Sequence, residues 1–241
     1  MAENINTKEY WDRRFGAGDW ERRHGRWQTT SFAEAQVPLL GLARDFEGTL
    51  LDFGCGLGDA IPVYRRAYPR ATLIGMDISA EAIRKCEERY EATATFLQGD
   101  HSVVPNVDVI VASNVFEHLS MDKDVAATLV KRCRHLYIVV PYKEWPLCDE
   151  HINTYDETSF DYLNVVGRQI FRSRGWTEYG LSLLVNIYLR NIGRRLLGKA
   201  PRKRAMQIMF HIVRPDSDTP NAWHVPSHGD PKASGMRGVP G

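Results

Sequence analysis

The tightest constraint on this chain is the stretch Thr49-Leu50-Leu51-Asp52-Phe53-Gly54-Cys55-Gly56-Leu57-Gly58-Asp59-Ala60-Ile61. Leu50-Leu51 lead through Asp52 into three glycines at alternate positions, followed by residues able to start a helix. That order reads as a buried strand, a tight turn and a helix N-terminus. Glycine lets backbone N–H groups approach a ligand closely, and the helix start adds partial positive charge. A phosphate-binding loop would need Gly-Lys-Ser/Thr, which does not follow Gly58. A dinucleotide turn would need a third glycine where Asp59 stands. What is present is Asp-x-Gly-x-Gly-x-Gly, with an acid ahead of the first glycine that would repel a pyrophosphate and suit a cation. A glycine turn with no ligand is the plain alternative.

Downstream, strand and helix patterns alternate. Ala60 to Tyr68 reads as a helix stopped by Pro69, and 71–76 as a strand ending at Asp77. Ser79 caps a helix from Ala80 to Tyr90. Residues 94–98 form a third strand ending near Asp100, and the apolar run 107–113 a fourth, central one. A helix from Asp122 to about Arg134 leads into a fifth strand, 135–140, closed by Pro141. This alternation implies a doubly wound α/β sheet with ligands at the carboxyl ends of its strands. Beyond it, 156–166 reads as a helix, 168–173 as a strand, 181–197 as a long helix and 206–213 as a last strand. Ahead of the sheet, 10–15 suggests a short amphipathic helix. Residues 31–46 suggest another, with Ser31 as N-cap and Glu34 completing a capping box, broken near Pro38.

The glycine motif resembles the first motif of class I S-adenosylmethionine-dependent methyltransferases of the small-molecule type, a resemblance covering about residues 45–215. It implies a seven-stranded, Rossmann-like methyltransferase sheet over 47–215, mostly parallel with an antiparallel last strand. Residues 1–46 would form a helical lid or cap, about 180–204 a basic amphipathic insertion, and 216–241 a disordered tail. It also implies S-adenosyl-L-methionine as cofactor. Asp52 would face its ammonium, and Gly54, Cys55, Gly56 and Gly58 would supply nearby backbone. Asp77 would accept both ribose hydroxyls, by bonds about twice as strong as neutral ones. Asp100 would accept the adenine amine, with Ile78 or His101 on the ring, and Asn114 would lie near the methyl group. Any one of these acids could be an ordinary cap, but three closing successive strands make one acidic crest.

Two histidines are candidate general bases. His118 lies in an acidic-His-Leu segment that similar methyltransferases place after the fourth strand; a helix-start histidine bonded to backbone is the alternative. His151 resembles the histidine that many small-molecule and sugar methyltransferases carry after the fifth strand, here flanked by Asp149 and Glu150. A structural loop histidine is the alternative there. Three adjacent residues, 149–151, make a poor ligand fan, so no metal is expected. The function read from these residues is methyl transfer to a hydroxyl or amine of a small molecule, such as a sugar or natural product. A non-catalytic cofactor-binding partner is the alternative of another class. An NAD oxidoreductase is disfavoured by Asp52 and Asp59. A nucleic-acid methyltransferase lacks its usual Asn/Asp-Pro-Pro-aromatic motif, since Ser113-Asn114-Val115-Phe116 stands there.

Composition adds limits. The chain has 241 residues, 43% hydrophobic and 25% charged, enough for a sizeable core. A net charge of +1 gives no global argument for nucleic acid. Cys55, Cys86, Cys133 and Cys148 lie far apart with no Cys-x-x-Cys, which fits a reducing cytoplasm. The N-terminus lacks the form of a signal peptide, and no apolar run approaches the ~20 residues that span a bilayer. From Tyr179 to Pro215 there is no acid, while Arg190, Arg194, Arg195, Lys199, Arg202, Lys203 and Arg204 accumulate. That basic amphipathic stretch, 190–204, suits an anionic membrane surface or a phosphate-bearing acceptor. A helix packed on the sheet edge is the plain alternative.

Overall fold

The computed structural model describes residues 5–172, 180–198 and 206–215. Seven strands form one sheet: β1 (Thr49–Phe53), β2 (Thr72–Asp77), β3 (Thr95–Gln98), β4 (Val109–Ser113), β5 (His135–Pro141), β6 (Val165–Phe171) and β7 (Gln207–Val213). Their order is β3-β2-β1-β4-β5-β7-β6. The first five pair in parallel, and β7 runs antiparallel between β5 and β6. The sheet is thus doubly wound, as the alternating patterns imply, and mostly parallel with its last strand antiparallel, as the family resemblance implies. The winding direction reverses between β1 and β4, which opens a crevice beyond their carboxyl ends.

Helices cover both faces, so the middle strands bury nearly every residue. On one face α3 (Gly25–Gln36), α4 (Ile61–Ala67) and α5 (Ala80–Tyr90) enclose Leu50, Tyr64, Val109, Val111 and Tyr137. On the other, α6 (Asp122–Arg132) and the segment 155–160 enclose Leu51, Ile110, Ile138 and Phe210. The α6 stripe Val125, Ala126, Leu129 and Val130 is buried, and its ends carry Asp122 and Asp124 at the start and Lys131 and Arg132 at the finish, matching the helix dipole. At α5 the Ser79 hydroxyl accepts the Ala82 N–H at 3.1 Å, the expected cap.

Two helices differ from the sequence reading. The helix expected over 31–46 begins earlier and ends earlier: after α1 (Lys8–Gly16) and α2 (Asp19–Arg22), α3 starts at Gly25 behind a left-handed His24 and stops at Gln36. Ser31 is therefore interior rather than a cap, and Glu34 pairs with Arg66 at 3.0 Å instead of closing a box. Pro38 does break the pattern, in the single 3-10 turn Val37–Leu39. The helix expected over 156–166 does not form. Asp156 Oδ1 accepts the Thr158 N–H and hydroxyl at 2.9 and 2.8 Å, and the Ser159 hydroxyl accepts the Asp156 N–H at 2.9 Å. Those bonds would also suit a helix start, but the backbone closes on itself three residues back, Ser159 N–H on the Asp156 carbonyl, Asp161 N–H on Thr158 and Leu163 N–H on Phe160, so tight turns form instead. The strand after it starts at Val165, not 168.

The helix α7 (Gly180–Leu196) forms as expected, with Arg194 and Arg195 in its last turn and Tyr188, Leu189 and Leu196 exposed. Lys199, Arg202, Lys203, Arg204 and the tail 216–241 lie outside the described residues. Among the described residues no helix is long and apolar enough to cross a membrane.

Phe160 anchors the turns at 156–163, fully buried against Tyr155, Phe116 and Phe210 with ring centroids 5.5, 5.7 and 4.9 Å away. Phe160→Ala is expected to lower unfolding free energy by about 3–5 kcal/mol, read by urea denaturation.

Candidate functional site

A cleft of about 1720 Å³ lies over the carboxyl ends of β1, β2, β4 and β5. Its floor begins at the β1–α4 turn. Gly54, Gly56 and Gly58 all adopt left-handed backbone, at φ 74, 53 and 73°. A Cβ on Gly54 would meet Val115 Cγ2 at 2.3 Å, and one on Gly58 would meet Cys86 Sγ at 3.0 Å. Glycine is required there by conformation and by space. Gly54 N–H and Cys55 N–H both donate to the Met76 carbonyl, at 2.7 and 2.9 Å, which ties the turn to the end of β2.

Two of the three expected acids are buried at this floor. Asp52, at the end of β1, is 4% exposed, and burial together with the nearby Asp77 charge pushes its carboxyl up to about 7. Asp77, at the end of β2, accepts Gly56 N–H at 2.8 Å and Ser79 N–H at 2.9 Å. Burial raises it to about 6 against those bonds. Asp100 is exposed; its Oδ1 accepts the Ser102 N–H and hydroxyl at 2.8 and 2.6 Å and caps the short 3-10 turn His101–Val103. Ile78, Asp100 and His101 line the same cleft. Asp59, buried, accepts the Tyr90 hydroxyl at 2.9 Å and faces Arg26 at 3.6 Å. The third-glycine position of a dinucleotide turn thus holds an acid engaged by its own neighbours.

Asn114 follows β4 with a left-handed φ of 55°, rare for a non-glycine residue, which swings its side chain into the cleft. Its Nδ2 donates to Ser113 Oγ at 3.0 Å, and its Oδ1 accepts from Gln207 Nε2 at 2.7 Å. Gln36 Nε2 donates to the same Ser113 hydroxyl at 2.7 Å. A polar row Gln36–Ser113–Asn114–Gln207 therefore crosses the floor from α3 to β7. The two outer amide oxygens, Gln36 Oε1 and Gln207 Oε1, are buried without a hydrogen-bond partner. Neither glutamine is marked in the sequence, because each joins the site only through the packing of α3 and β7.

The opposite wall is a histidine cluster. Ile152 N–H and Asn153 N–H donate to the Glu117 carbonyl at 2.8 and 3.3 Å, and Asn153 Nδ2 donates to the Phe116 and Leu119 carbonyls. These bonds pin the segment after β5 onto the 3-10 turn Phe116–His118 and bring His118 and His151 to 4.9 Å between ring centroids. His118 Nδ1 lies 3.0 Å from the Glu150 carbonyl, which leaves Nε2 as the free lone pair of a neutral ring. Burial depresses it to about 4. His151 Nδ1 meets Glu144 Oε2 at 2.5 Å. Burial pulls His151 down, yet Glu144, Glu117 and Glu150 outweigh it and raise it above the ordinary histidine value. The hydrogen-bond partner is Glu144, not Asp149 or Glu150, which flank the histidine in sequence. Glu150 instead binds the N-terminal helix, through Tyr10 and through Arg14 at 3.1 Å. Glu117 is 1% exposed, both of its carboxylate oxygens lack partners, and burial raises it to about 7.

The N-terminal segment closes one side. Asp12 on α1 accepts the Ser79 hydroxyl at 2.7 Å and Glu81 N–H at 3.2 Å, while Trp11 and Phe15 pack on Leu57 and Ala82. Arg190, Asn191 and Arg194 of α7 line the far rim.

Known proteins share parts of this chain. Residues 51–137 match the family model of a methyltransferase domain. Trans-aconitate 2-methyltransferase of Afipia carboxidovorans is 33% identical over 102 residues, 39% of this chain and 38% of that protein. Malonyl-[acyl-carrier protein] O-methyltransferase of Anoxybacillus flavithermus is 32% identical over 88 residues, 35% of this chain and 34% of that protein. The chain thus matches well under half the length of these relatives. Among solved structures, a chain of the complex between the Haloferax volcanii Trm112 methyltransferase activator and a methyltransferase has a TM-score of 0.59 at 17% identity, covering 85% of this chain and 97% of that one. The plantazolicin methyltransferase BpumL in complex with SAH has a TM-score of 0.52 at 14% identity, covering 87% of this chain and 96% of that one. The fold is the one these structures share.

Gly54→Ala is expected to cost about 1–2 kcal/mol for its left-handed backbone, with the Val115 clash added to that. Gly41→Ala, at φ 66° but with open space around it, should cost only the backbone part. Denaturant midpoints of the two variants make the comparison.

Proposed function

We propose that this chain, which carries a class I S-adenosylmethionine-dependent methyltransferase domain, moves a methyl group onto a hydroxyl or amine of a small molecule, with a histidine taking the proton. The observation behind this reading is one cleft with two unlike walls: buried, unpaired hydrogen-bond acceptors on one, and a histidine pair held by carboxylate and carbonyl on the other.

The residues fit the cofactor. A buried carboxyl raised to about 7 at Asp52, with unpartnered amide oxygens on Gln36 and Gln207, is a wall waiting for positive charge. Asp52 would hold the ammonium, and Gly54, Cys55, Gly56 and Gly58 would bring backbone close. Each Asp77 oxygen accepts one backbone N–H and keeps capacity for a ribose hydroxyl. Ile78, Asp100 and His101 would take the adenine, and Asn114 would stand by the reacting methyl. S-adenosylmethionine, when bound, supplies a methyl group already activated on a sulfonium.

What remains for the chain is to align the acceptor, exclude water and receive one proton. Alignment alone is worth up to about 10 kcal/mol. The N-terminal helices, tied to α5 and to Glu150, act as the cover that excludes water. His151 receives the proton at Nε2, because Glu144 holds its Nδ1. His118, a neutral ring, orients the acceptor. Free cysteines at all four positions accord with a cytoplasmic protein.

A second reading has one specific support. Arg190 and Arg194 reach the rim of the cleft, and the relatives' names specify trans-aconitate and a malonyl group. An acceptor bearing a carboxylate or phosphate would be seated by these arginines. If it is lipid-linked, the exposed apolar residues of α7 would rest on an anionic membrane.

The test is transfer of a labelled methyl from S-adenosylmethionine into fractionated hydroxylated small molecules. A labelled product is expected, reduced by about 10²–10⁴-fold in His151→Ala. Tight S-adenosylhomocysteine binding with no product in any fraction would favour a non-catalytic binding protein instead. Because Asp52 titrates near 7 and only its ionised form pairs with an ammonium, S-adenosylhomocysteine affinity should fall by up to about tenfold per pH unit below 7. Calorimetry from pH 5 to 8 reads this, and Asp52→Asn should flatten the dependence.

A further inference from the structure

Among the described residues, Glu117 is the one buried carboxylate in the cleft that the proposed function leaves without work. It sits on the turn that carries His118, and the bonds from Ile152 and Asn153 to its own carbonyl draw His151 over it. One ligand atom from each of Glu117, His118 and His151 lies within 4.8 Å of the others. Both Glu117 oxygens are buried and unpartnered, which is costly for a carboxyl group unless something else satisfies it. Both rings are already oriented from behind, His118 by the Glu150 carbonyl and His151 by the Glu144 carboxylate. Metal-binding histidines are held in this way, one ring nitrogen on a carbonyl or carboxylate and the other on the ion.

The geometry points to a divalent transition-metal site formed by Glu117, His118 and His151 on the acceptor side of the cleft. Two imidazoles and one carboxylate suit Zn²⁺, Co²⁺, Fe²⁺ or Mn²⁺, and three protein ligands leave further positions open. Bonds of about 2.1 Å set tetrahedral donors about 3.4 Å apart, so the three side chains close inward by about 1 Å on binding. The open positions face the cleft and suit an acceptor that presents a hydroxyl beside a second oxygen. With the ion seated, the two histidines serve as ligands. The ion would lower the pKa of a coordinated hydroxyl, whose proton would then pass to solvent in place of His151, and the cofactor wall would stay untouched. The sequence does not show this triad, because the contiguous acids at 149–150 draw the eye, whereas the carboxylate that counts is 34 positions upstream of His151. A second group, Glu144, Cys148 and His151, shares His151 and is the competing arrangement.

The test uses the full chain, stripped with chelator, then titrated with Zn²⁺ by calorimetry and with Co²⁺ by visible absorption. One equivalent is expected to bind, with a Co²⁺ d–d band. Glu117→Gln and His118→Ala should each weaken binding by about 100-fold or more, and Glu144→Gln by about 10–100-fold. Cys148→Ser should leave it unchanged. S-adenosylhomocysteine affinity and thermal midpoint, measured on the same samples, show that each variant is folded and keep a failed metal site distinct from a failed cofactor site. No stoichiometric uptake by the folded chain overturns the inference. So does binding that survives Glu117→Gln and is lost in Cys148→Ser.

Discussion

One carboxylate at the end of β2 holds the functional half of this molecule together. Asp77 accepts an N–H from Gly56 in the β1–α4 turn and another from Ser79 at the start of α5. Its own carbonyl accepts Gly99 N–H at 2.9 Å, which fixes the end of β3. Ser79 in turn caps α5 and donates its hydroxyl to Asp12 on α1. Three strand ends, two helix starts and the N-terminal helix α1 meet within a few bonds of one side chain. Burial raises the Asp77 carboxyl to about 6 in spite of these N–H donors, so the node is built for an arrangement in which more positive or donor character arrives from the cleft.

The same imbalance recurs across the cleft. Asp52, Gln36, Gln207 and Glu117 all present buried oxygen towards it, and three of the four have oxygen atoms with no partner at all. Folded chains seldom leave buried acceptors unsatisfied, since each costs roughly 1–3 kcal/mol. Here they are sorted by position. Asp52 lies on the floor beside the glycine turn, where a cationic methyl donor would sit, and the two glutamines stand at the ends of the polar row that crosses the floor. Glu117 lies with the histidines, on the side left for the acceptor. A ligand that satisfied these acceptors would stabilise the folded chain by mass action.

Much of the sheet could be read from the chain alone, because its signals are local. The β1 turn is marked by glycines that its left-handed backbone demands. The α5 cap is marked by Ser79, and the central place of β4 by an almost wholly apolar run. Where the reading failed, a nonlocal or competing interaction won. Ser31 and Glu34 have the spacing of a capping box, but Gly25 starts the helix earlier and Glu34 turns to Arg66. The segment 156–166 has helical spacing, but its backbone closes in three-residue turns and Phe160 plugs the core. His151 is visible as a loop histidine, yet its true partner Glu144 stands seven positions away, across the fold of the loop.

The residues by themselves determined the α/β class, the glycine turn, the acids that close β1 and β2, and the candidacy of His118 and His151. Those features follow from periodicity and from conformations only glycine or a capping side chain can adopt, and such rules act over a few residues. Tertiary structure alone decided that Gln36 and Gln207 join Asn114 in one row, that Glu150 serves the N-terminal helix, and that Glu117 stands beside both histidines. Each of these depends on which backbone carbonyl a distant N–H finds. In this chain Ile152 and Asn153 find the Glu117 carbonyl, and that choice, made between segments more than thirty residues apart, sets His151 beside His118 and Glu117.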